Sequence, residues 1–494
     1  MCNPTCVSPA MYLHGSMCLA ESGQFEVCTT THWPQSHCRW AVDADCSSSA
    51  GRISKKVGID LTNPTAAAFH LVRFVDQHTM ASNAGSDVRR RWRSSRAPSG
   101  AGFFLEIEKW KLAAKQAGRD IIDMSVGLAD MQPQQEPLDT LRAALEDPST
   151  YSYCLKSGTR DLRQACCDWY AQRYGLQLDP DTQALTLIGS QEGLAHLLLA
   201  VADQGDTILM CDVAYASYWG AVQVAGLQPA FLQLDDALLP RFDAVDPAVA
   251  SRAKVLLLNY PNNPTAATAT NEFFSAAIAF CLQHDILLVH DNPYVDLVYE
   301  GVAPSPLCLP GGMDCCIELF SFAKSYHIAG FRLGWALGNA DAMAALEAVK
   351  APIDFNQYRG IQRMGVTCLT MPQQRVKADA QEWKRRAAGL VQALAQEGWA
   401  VRMPASGMYL WARLPCDAAD EMQFCQDLLA ATGVALGPGR GFGPGGHGYV
   451  RISLVHPEER LREAAARIGD WAREKGIDFG STAADNATPK PRAL

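Results

Sequence analysis

The chain has 494 residues, 48% of them hydrophobic and 19% charged, with a formal net charge of −9. Those fractions exclude a disordered, collagenous or coiled-coil protein and leave a globular class, with two to four domains at about 100–200 residues each. The negative charge gives no electrostatic basis for a nucleic-acid or anionic-membrane partner, and no run approaches the ~18 consecutive apolar residues of a spanning helix.

Residues 1–100 are rich in Ser, Thr, Cys and Ala and hold no sustained helical or strand period. Six of the 17 cysteines lie there, and the other 11 are scattered with no CxxC spacing, which points to free thiols in a reducing compartment and to no zinc site. Arg89, Arg90, Arg91, Arg93 and Arg96 sit among serines, with no acid between Asp87 and Glu106. That is the composition of an organelle transit segment; a disordered tail, or a start codon placed upstream of Met80, are the plainer readings. The expected extension therefore spans 1–100, and a soluble protein in the cytoplasm or an organelle is expected with it.

Apolar positions at helical spacing (Phe104, Ile107, Trp110, Leu112) predict a helix over 103–118, stopped by Gly118. Residues 101–150 are expected to join a smaller domain. From about 150 strand-like and helical runs alternate: strands at 185–188, 208–211, 255–258, 286–290 and 317–322, helices such as 191–203 and 271–284. Alternation of this kind predicts an α/β domain over 151–375, built on a mostly parallel sheet with its ligand beyond the carboxyl ends of the strands. A long amphipathic helix at 377–396, strands at 407–414 and 449–455, and helices at 418–431 and 457–474 predict a smaller α+β domain over 376–475. Residues 476–494 read as a flexible tail.

Four features sit at the ends of predicted strands. LTLIGSQEG (185–193) turns from strand to helix at Gly189–Ser190, which offers free backbone N–H groups to a phosphate, or an ordinary serine cap. NYPNNPT (259–265) places two prolines in four residues, a rigid turn from which Asn262 and Asn263 project. HDNPY (290–294) ends a buried strand in Asp291, costly unless a cation meets it, or else a cap. SFAKSYHIAGFRLG (321–334) sets Lys324 at a strand end, where a lysine is either a solvated rim residue or a nucleophile. A lysine, an Asp for a ring nitrogen, an Asn on a rigid loop and a helix start for phosphate together make a pyridoxal phosphate site.

On these motifs the chain resembles the class I/II aminotransferases of pyridoxal-phosphate fold type I, over roughly residues 103–475 and in the style of the aspartate and LL-diaminopimelate subgroup. It departs from the family pattern at His327, where Asn or a small residue is usual, at Ala266 and Asn292, and in Leu128–Ala129–Asp130, which replaces a Gly-Asp-Pro run. The resemblance implies a large parallel-sheet domain with a smaller α+β domain and pyridoxal 5′-phosphate as cofactor. It implies that Lys324 carries the cofactor and shuttles the substrate proton, that Asp291 keeps the pyridine nitrogen protonated, and that Tyr294 and Asn263 bind the phenolic oxygen. Tyr215 would stack on the ring. Ser190, Gln191, Ser321 and Arg332 would hold the phosphate, joined by Tyr153 from a neighbouring subunit in a homodimer with shared active sites. Arg451, Asn263 and Gly127 would take the substrate carboxylate. Arg359 and Arg363 stand as candidates for a second substrate carboxylate or as interface residues. The implied reaction moves an amino group between an L-amino acid and a 2-oxo acid, with glutamate and 2-oxoglutarate as one pair. A β-lyase on the same fold is the alternative; a transcriptional regulator is disfavoured because residues 1–100 lack a recognition-helix pattern.

Overall fold

The computed structural model describes residues 94–98, 103–415 and 420–482, with four short strands nearer the N-terminus. Contacts divide the chain between Trp92 and Arg93. In the first unit Ser16–Leu19 pairs antiparallel with Phe25–Cys28, and Ala41–Val42 with Val57–Gly58. The expected transit segment otherwise lies outside the described residues, as do residues 483–494.

The second unit opens with α1 (Phe103–Gln116), which stops before Gly118 at φ +80°. Then come β1 (Ile122–Asp123), α2 (Gln135–Leu145) and α3 (Arg160–Tyr174). The main sheet follows: β2 (Ala184–Leu187), β3 (Thr207–Cys211), β4 (Gln228–Leu232), β5 (Ala253–Leu258), β6 (Leu287–Asp291), β7 (Cys316–Ser321) and β8 (Gly334–Gly338). They lie in the order β2-β8-β7-β6-β5-β3-β4, and β8 runs against both of its neighbours while the others pair parallel. The apolar runs are continuous because both faces are covered. The helices around the sheet are α4 (Ser190–Val201), a second one at Ser217–Ala225, α5 (Asn271–His284), α6 (Ala340–Ile353), α7 (Arg359–Thr370) and α8 (Gln374–Gln396). Leu209, Leu256, Leu258 and Leu288 point into one core with α3, α5 and α7, and Ile208, Met210, Val255, Leu257 and Val289 into the other.

Two strands of this sheet are absent from the sequence reading. β4 is an edge strand whose first two residues are exposed and which contains Pro229, so its apolar signal is weak. β8 is five residues bounded by Gly334 and Gly338. An added Cβ at Gly334 would stand 2.6 Å from the Phe320 carbonyl oxygen, so only glycine lets β8 slip between β2 and β7.

Beyond α8 a second core forms around Trp383, Trp399, Leu410, Val450 and Ile452. β9 (Tyr409–Arg413), β11 (Gly437–Pro438) and β12 (Tyr449–Ser453) make a small antiparallel sheet, covered by α9 (Glu421–Thr432) and α10 (Glu458–Lys475). β10 (Val434–Ala435) pairs parallel with β1, so the segment before residue 150 is stitched to this layer. The flexible tail expected from 476 is corrected at its start: Phe479 is buried and stacks on Trp399 with ring centroids 4.6 Å apart. Within the described residues no helix is long and apolar enough to cross a membrane.

Candidate active site

The carboxyl ends of β5, β6 and β7 and the start of α4 bring the sequence motifs together. Asp291 is the last residue of β6 and is 3% exposed. Its Oδ2 accepts from the Tyr218 hydroxyl at 2.6 Å, while Oδ1 is buried with no hydrogen-bond partner. Burial pushes its carboxyl up to about 6, opposed by the Tyr218 and Ser190 hydroxyls and by the charge of His290.

The turn after β5 carries cis peptide bonds before Pro261 and Pro264. Asn259 locks this turn to β6, donating from Nδ2 to the Asp291 carbonyl at 2.7 Å and accepting from the Asn263 N–H at 2.9 Å. Asn263 is thereby presented in both directions. Its Nδ2 donates to the Tyr294 hydroxyl at 3.1 Å, and its Oδ1 accepts from Arg451 at 2.9 Å.

Arg451 sits mid-strand in β12 and is 1% exposed. Its guanidinium lies between the Tyr409 and Phe442 rings, at 4.4 and 4.5 Å from their centroids. One terminal nitrogen donates to Asn263 and the other to the Ser125 carbonyl at 2.6 Å, and Nε is buried without a partner. Lys324, in the single turn Phe322–Ser325 that follows β7, donates from Nζ to the Gly127 carbonyl at 2.6 Å. Gly127 must be glycine: a Cβ there would stand 1.9 Å from the Tyr409 hydroxyl.

The phosphate-type features lie to one side. α4 begins at Ser190, after Gly189 at φ +95°. The Arg332 guanidinium covers Gly189 so closely that a Cβ would meet its NH2 at 2.8 Å. Arg332 itself is held at φ +54°, with NH1 donating to the Ala329 carbonyl. The Ser321 hydroxyl caps the Lys324 turn by accepting from the Ala323 N–H. Gln191 accepts from the Tyr215 hydroxyl at 3.4 Å. Behind the cup, Glu192 accepts the Ile188 N–H at 2.6 Å and fixes the turn. Glu192, His196 and Asp354 could share a cation by spacing, but the buried Lys350 ammonium already bridges the two carboxylates, 2.6 Å from Asp354 and 3.5 Å from Glu192.

Tyr153, Arg359 and Arg363 are not part of this cluster's hydrogen bonds. Tyr153 is 82% exposed, its ring tilted against Phe355. Arg363 pairs with Asp147 at 2.7 Å, and Arg359 donates to the Ser149 carbonyl at 3.3 Å. Two tyrosines of the cluster were not singled out from sequence. Tyr218 lies in the first turn of the helix Ser217–Ala225, and Tyr215 just before that helix meets it edge to face, with ring centroids 5.6 Å apart. The Tyr409 hydroxyl is 3.2 Å from that of Tyr294. Burial raises the Tyr409 phenol, but the charges of Lys324 and Arg451 outweigh it and bring it below its ordinary value. Tyr294, by contrast, is pushed up by burial and by Tyr409.

The aminotransferase class I and II family model matches residues 119–468. The chain belongs to that family. It is 39% identical over 369 residues to an LL-diaminopimelate aminotransferase of Syntrophobacter fumaroxidans, covering 74% of this chain and 95% of that one. It is 36% identical over 374 residues to the glutamate–pyruvate aminotransferase AlaC of Escherichia coli, covering 74% and 90%. Among solved structures, a probable N-succinyldiaminopimelate aminotransferase of Thermus thermophilus superposes with a TM-score of 0.73 at 50% identity, covering 75% of this chain and all of that one. This protein is therefore a pyridoxal-phosphate-dependent aminotransferase of the fold type I architecture, acting on an amino acid and a 2-oxo acid. The residues present fit that cofactor: a buried carboxylate keeps one oxygen free for a cationic ring nitrogen, and a glycine-lined helix start lies beneath an arginine for a phosphate.

Proposed function

We propose that Lys324, Asp291, Asn263, Tyr294 and Arg451 carry the amino transfer in this enzyme. Asp291, Tyr215, Asn263 and Tyr294 would hold the ring of pyridoxal 5′-phosphate; Ser190, Gln191, Ser321 and Arg332 would hold its phosphate. The observation that carries this reading is the free Oδ1 of Asp291. A buried carboxylate with an idle acceptor calls for a cationic donor, and a protonated pyridine nitrogen supplies one. When bound, the cofactor provides the electron sink for the bonds broken at the substrate's α-carbon. Lys324 Nζ takes the proton leaving that carbon and returns it. Asn263 orients the Tyr294 hydroxyl from one side and Arg451 from the other, so ring recognition and substrate recognition share one amide. Arg451 offers a planar guanidinium with an unused Nε–H to the substrate α-carboxylate, a paired contact that a lysine does not reproduce. Glutamate and 2-oxoglutarate form one substrate pair, a reading supported by the name of the Escherichia coli relative.

The enzyme works as a homodimer in which Tyr153 reaches the partner's phosphate site. Supporting this, Tyr151, Tyr153, Leu155, Ile353 and Phe355 are all more than half exposed, apolar side chains left uncovered by the described residues.

The test is product analysis with Lys324→Ala as control. Wild-type enzyme with glutamate and a 2-oxo acid should form a new amino acid and 2-oxoglutarate, and Lys324→Ala should lose at least about 10⁴-fold in rate. Release of pyruvate and ammonia from a β-substituted amino acid, without transfer, would move the enzyme to the lyases. Transfer retained in Lys324→Ala would remove Lys324 from its role.

A further inference from the structure

Gln357 lies in the short segment 354–358 between α6 and α7, and the chemistry above does not use it. Its side chain is buried, and its amide reaches both walls of the proposed phosphate cup. Nε2 donates to the Arg332 carbonyl at 3.1 Å and, at shorter range, to the Leu187 carbonyl. Carbonyl oxygens only accept, so this is the orientation of the amide that fits: turned over, Oε1 would face two acceptors. Both amide hydrogens are thus engaged, and Oε1 is left buried without a partner.

Each carbonyl belongs to a stretch of backbone that the cup depends on. Leu187 ends β2, two residues before Gly189. The N–H of Ile188, next along, is held by Glu192, so Gln357 and Glu192 grip neighbouring residues of one turn. Arg332 is a non-glycine residue at φ +54° and ψ 70°, a left-handed conformation that persists only where the surroundings fix it. Its side chain is exposed, while its carbonyl is taken by a buried amide. Gln357 is itself held. Asp354 accepts from Lys350 at 2.6 Å and from the Asn356 N–H at 2.9 Å. Asn356, at φ +67°, donates to the Cys154 carbonyl at 3.1 Å and accepts from the Thr186 hydroxyl at 2.9 Å. Gln362 donates to the Gln357 carbonyl at 2.9 Å.

We propose that Gln357 is a positioning residue for the cofactor phosphate: one buried amide that fixes the Gly189–Ser190 turn and the Arg332 backbone relative to each other, so that the turn's N–H groups and the guanidinium converge on one anion. The inference rests on the assignment of Ser190, Gln191 and Arg332 to that phosphate. Gln357 acts through the two carbonyls, not on the phosphate itself. An apolar side chain of the same length would fill the same space but leave both carbonyls without this donor, and the two walls of the cup would no longer be tied. An anion would then have to order them on binding, which weakens its hold.

The experiment compares the binding of pyridoxal phosphate with that of pyridoxal, which lacks the phosphate, to cofactor-free wild type, Gln357→Met and Arg332→Ala. Gln357→Met keeps the length of the side chain and removes both donors without adding charge. It should bind pyridoxal phosphate about tenfold more weakly and pyridoxal within about twofold of wild type. Equal losses for the two ligands would show a merely structural role and overturn the proposal, as would no loss for either. If Gln357→Met does not fold, Gln357→Asn, whose amide is one methylene too short to bridge the two carbonyls, decides the question by the same ratio. Arg332→Ala separates the two levels. If it lowers the preference for the phosphorylated ligand while the Gln357 variant matches wild type, the phosphate site stands and Gln357 has no part in it. If Arg332→Ala also leaves that preference unchanged, the assignment of the phosphate site itself fails.

Discussion

The Asp291–Arg451 cluster and the Tyr153 face are built in opposite ways. In the first, Asp291, Asn263 and Arg451 are buried and Lys324 is half-buried, and each is tied to a neighbour: Asp291 to Tyr218, Asn263 to both Tyr294 and Arg451, Lys324 to the Gly127 carbonyl. In the second, Tyr151, Tyr153, Leu155 and Phe355 stand in solvent, and the arginines beneath are held by loop partners such as Asp147. A preorganised electrostatic site must be dry before the reaction begins, because water would weaken each interaction in it. An association face must be apolar and uncovered until a partner arrives. Among the described residues the first is closed and the second is uncovered, as the proposed dimer would require.

Three substitutions sharpen that contrast, in falling order of effect. Asp291→Asn should cut turnover about 10³-fold by leaving the ring nitrogen without a charged partner. It should also stabilise the cofactor-free protein. Burial holds the Asp291 carboxyl at about 6 instead of 3.8, so the folded state favours its protonated form. Its contribution is fully present below pH 3.8 and is lost as pH rises through about 6. Thermal melts of the cofactor-free forms should therefore show the variant's advantage growing from pH 4 to pH 7. An activity loss without that trend would mean Asp291 is not desolvated as the structure has it. Arg451→Lys should raise KM for the amino acid about 10²-fold with a smaller change in kcat, since one ammonium cannot replace a paired guanidinium contact. An unchanged KM would move carboxylate binding elsewhere. Tyr153→Phe should have the smallest effect, weakening pyridoxal phosphate retention roughly threefold, about the net worth of one hydrogen bond. Equal retention in monomer and dimer fractions would break the comparison, because the exposed face would then have no part in the site.

How far the sequence could be read follows the same division. β5, β6 and β7 were legible because strands buried on both faces read as unbroken apolar runs, and the motifs sit at their ends. β4 and β8 were not, because an edge strand with Pro229 and a five-residue strand between glycines carry no such run. Asn263, Asp291 and Lys324 stand out in the sequence because each sits in a motif at the end of a strand, and Arg451 enters through the family resemblance; the fold brings the four together. Tyr218 and Tyr409 were missed because an aromatic on a helix or strand looks like core. Their hydroxyls gain meaning only from distances to Asp291 and Tyr294 in the fold. Phe479 was read as tail because nothing local to it signals the Trp399 ring it stacks on, about 80 residues away along the chain.

The most direct measurement is the half-reaction. Purified enzyme loaded with pyridoxal phosphate is mixed with L-glutamate alone, its cofactor absorbance followed, and a 2-oxo acid then added. The account predicts that glutamate shifts the band with release of one equivalent of 2-oxoglutarate per site, and that the oxo acid restores it. A loaded enzyme whose band responds to no amino acid, with Lys324 and Arg451 intact, would contradict it.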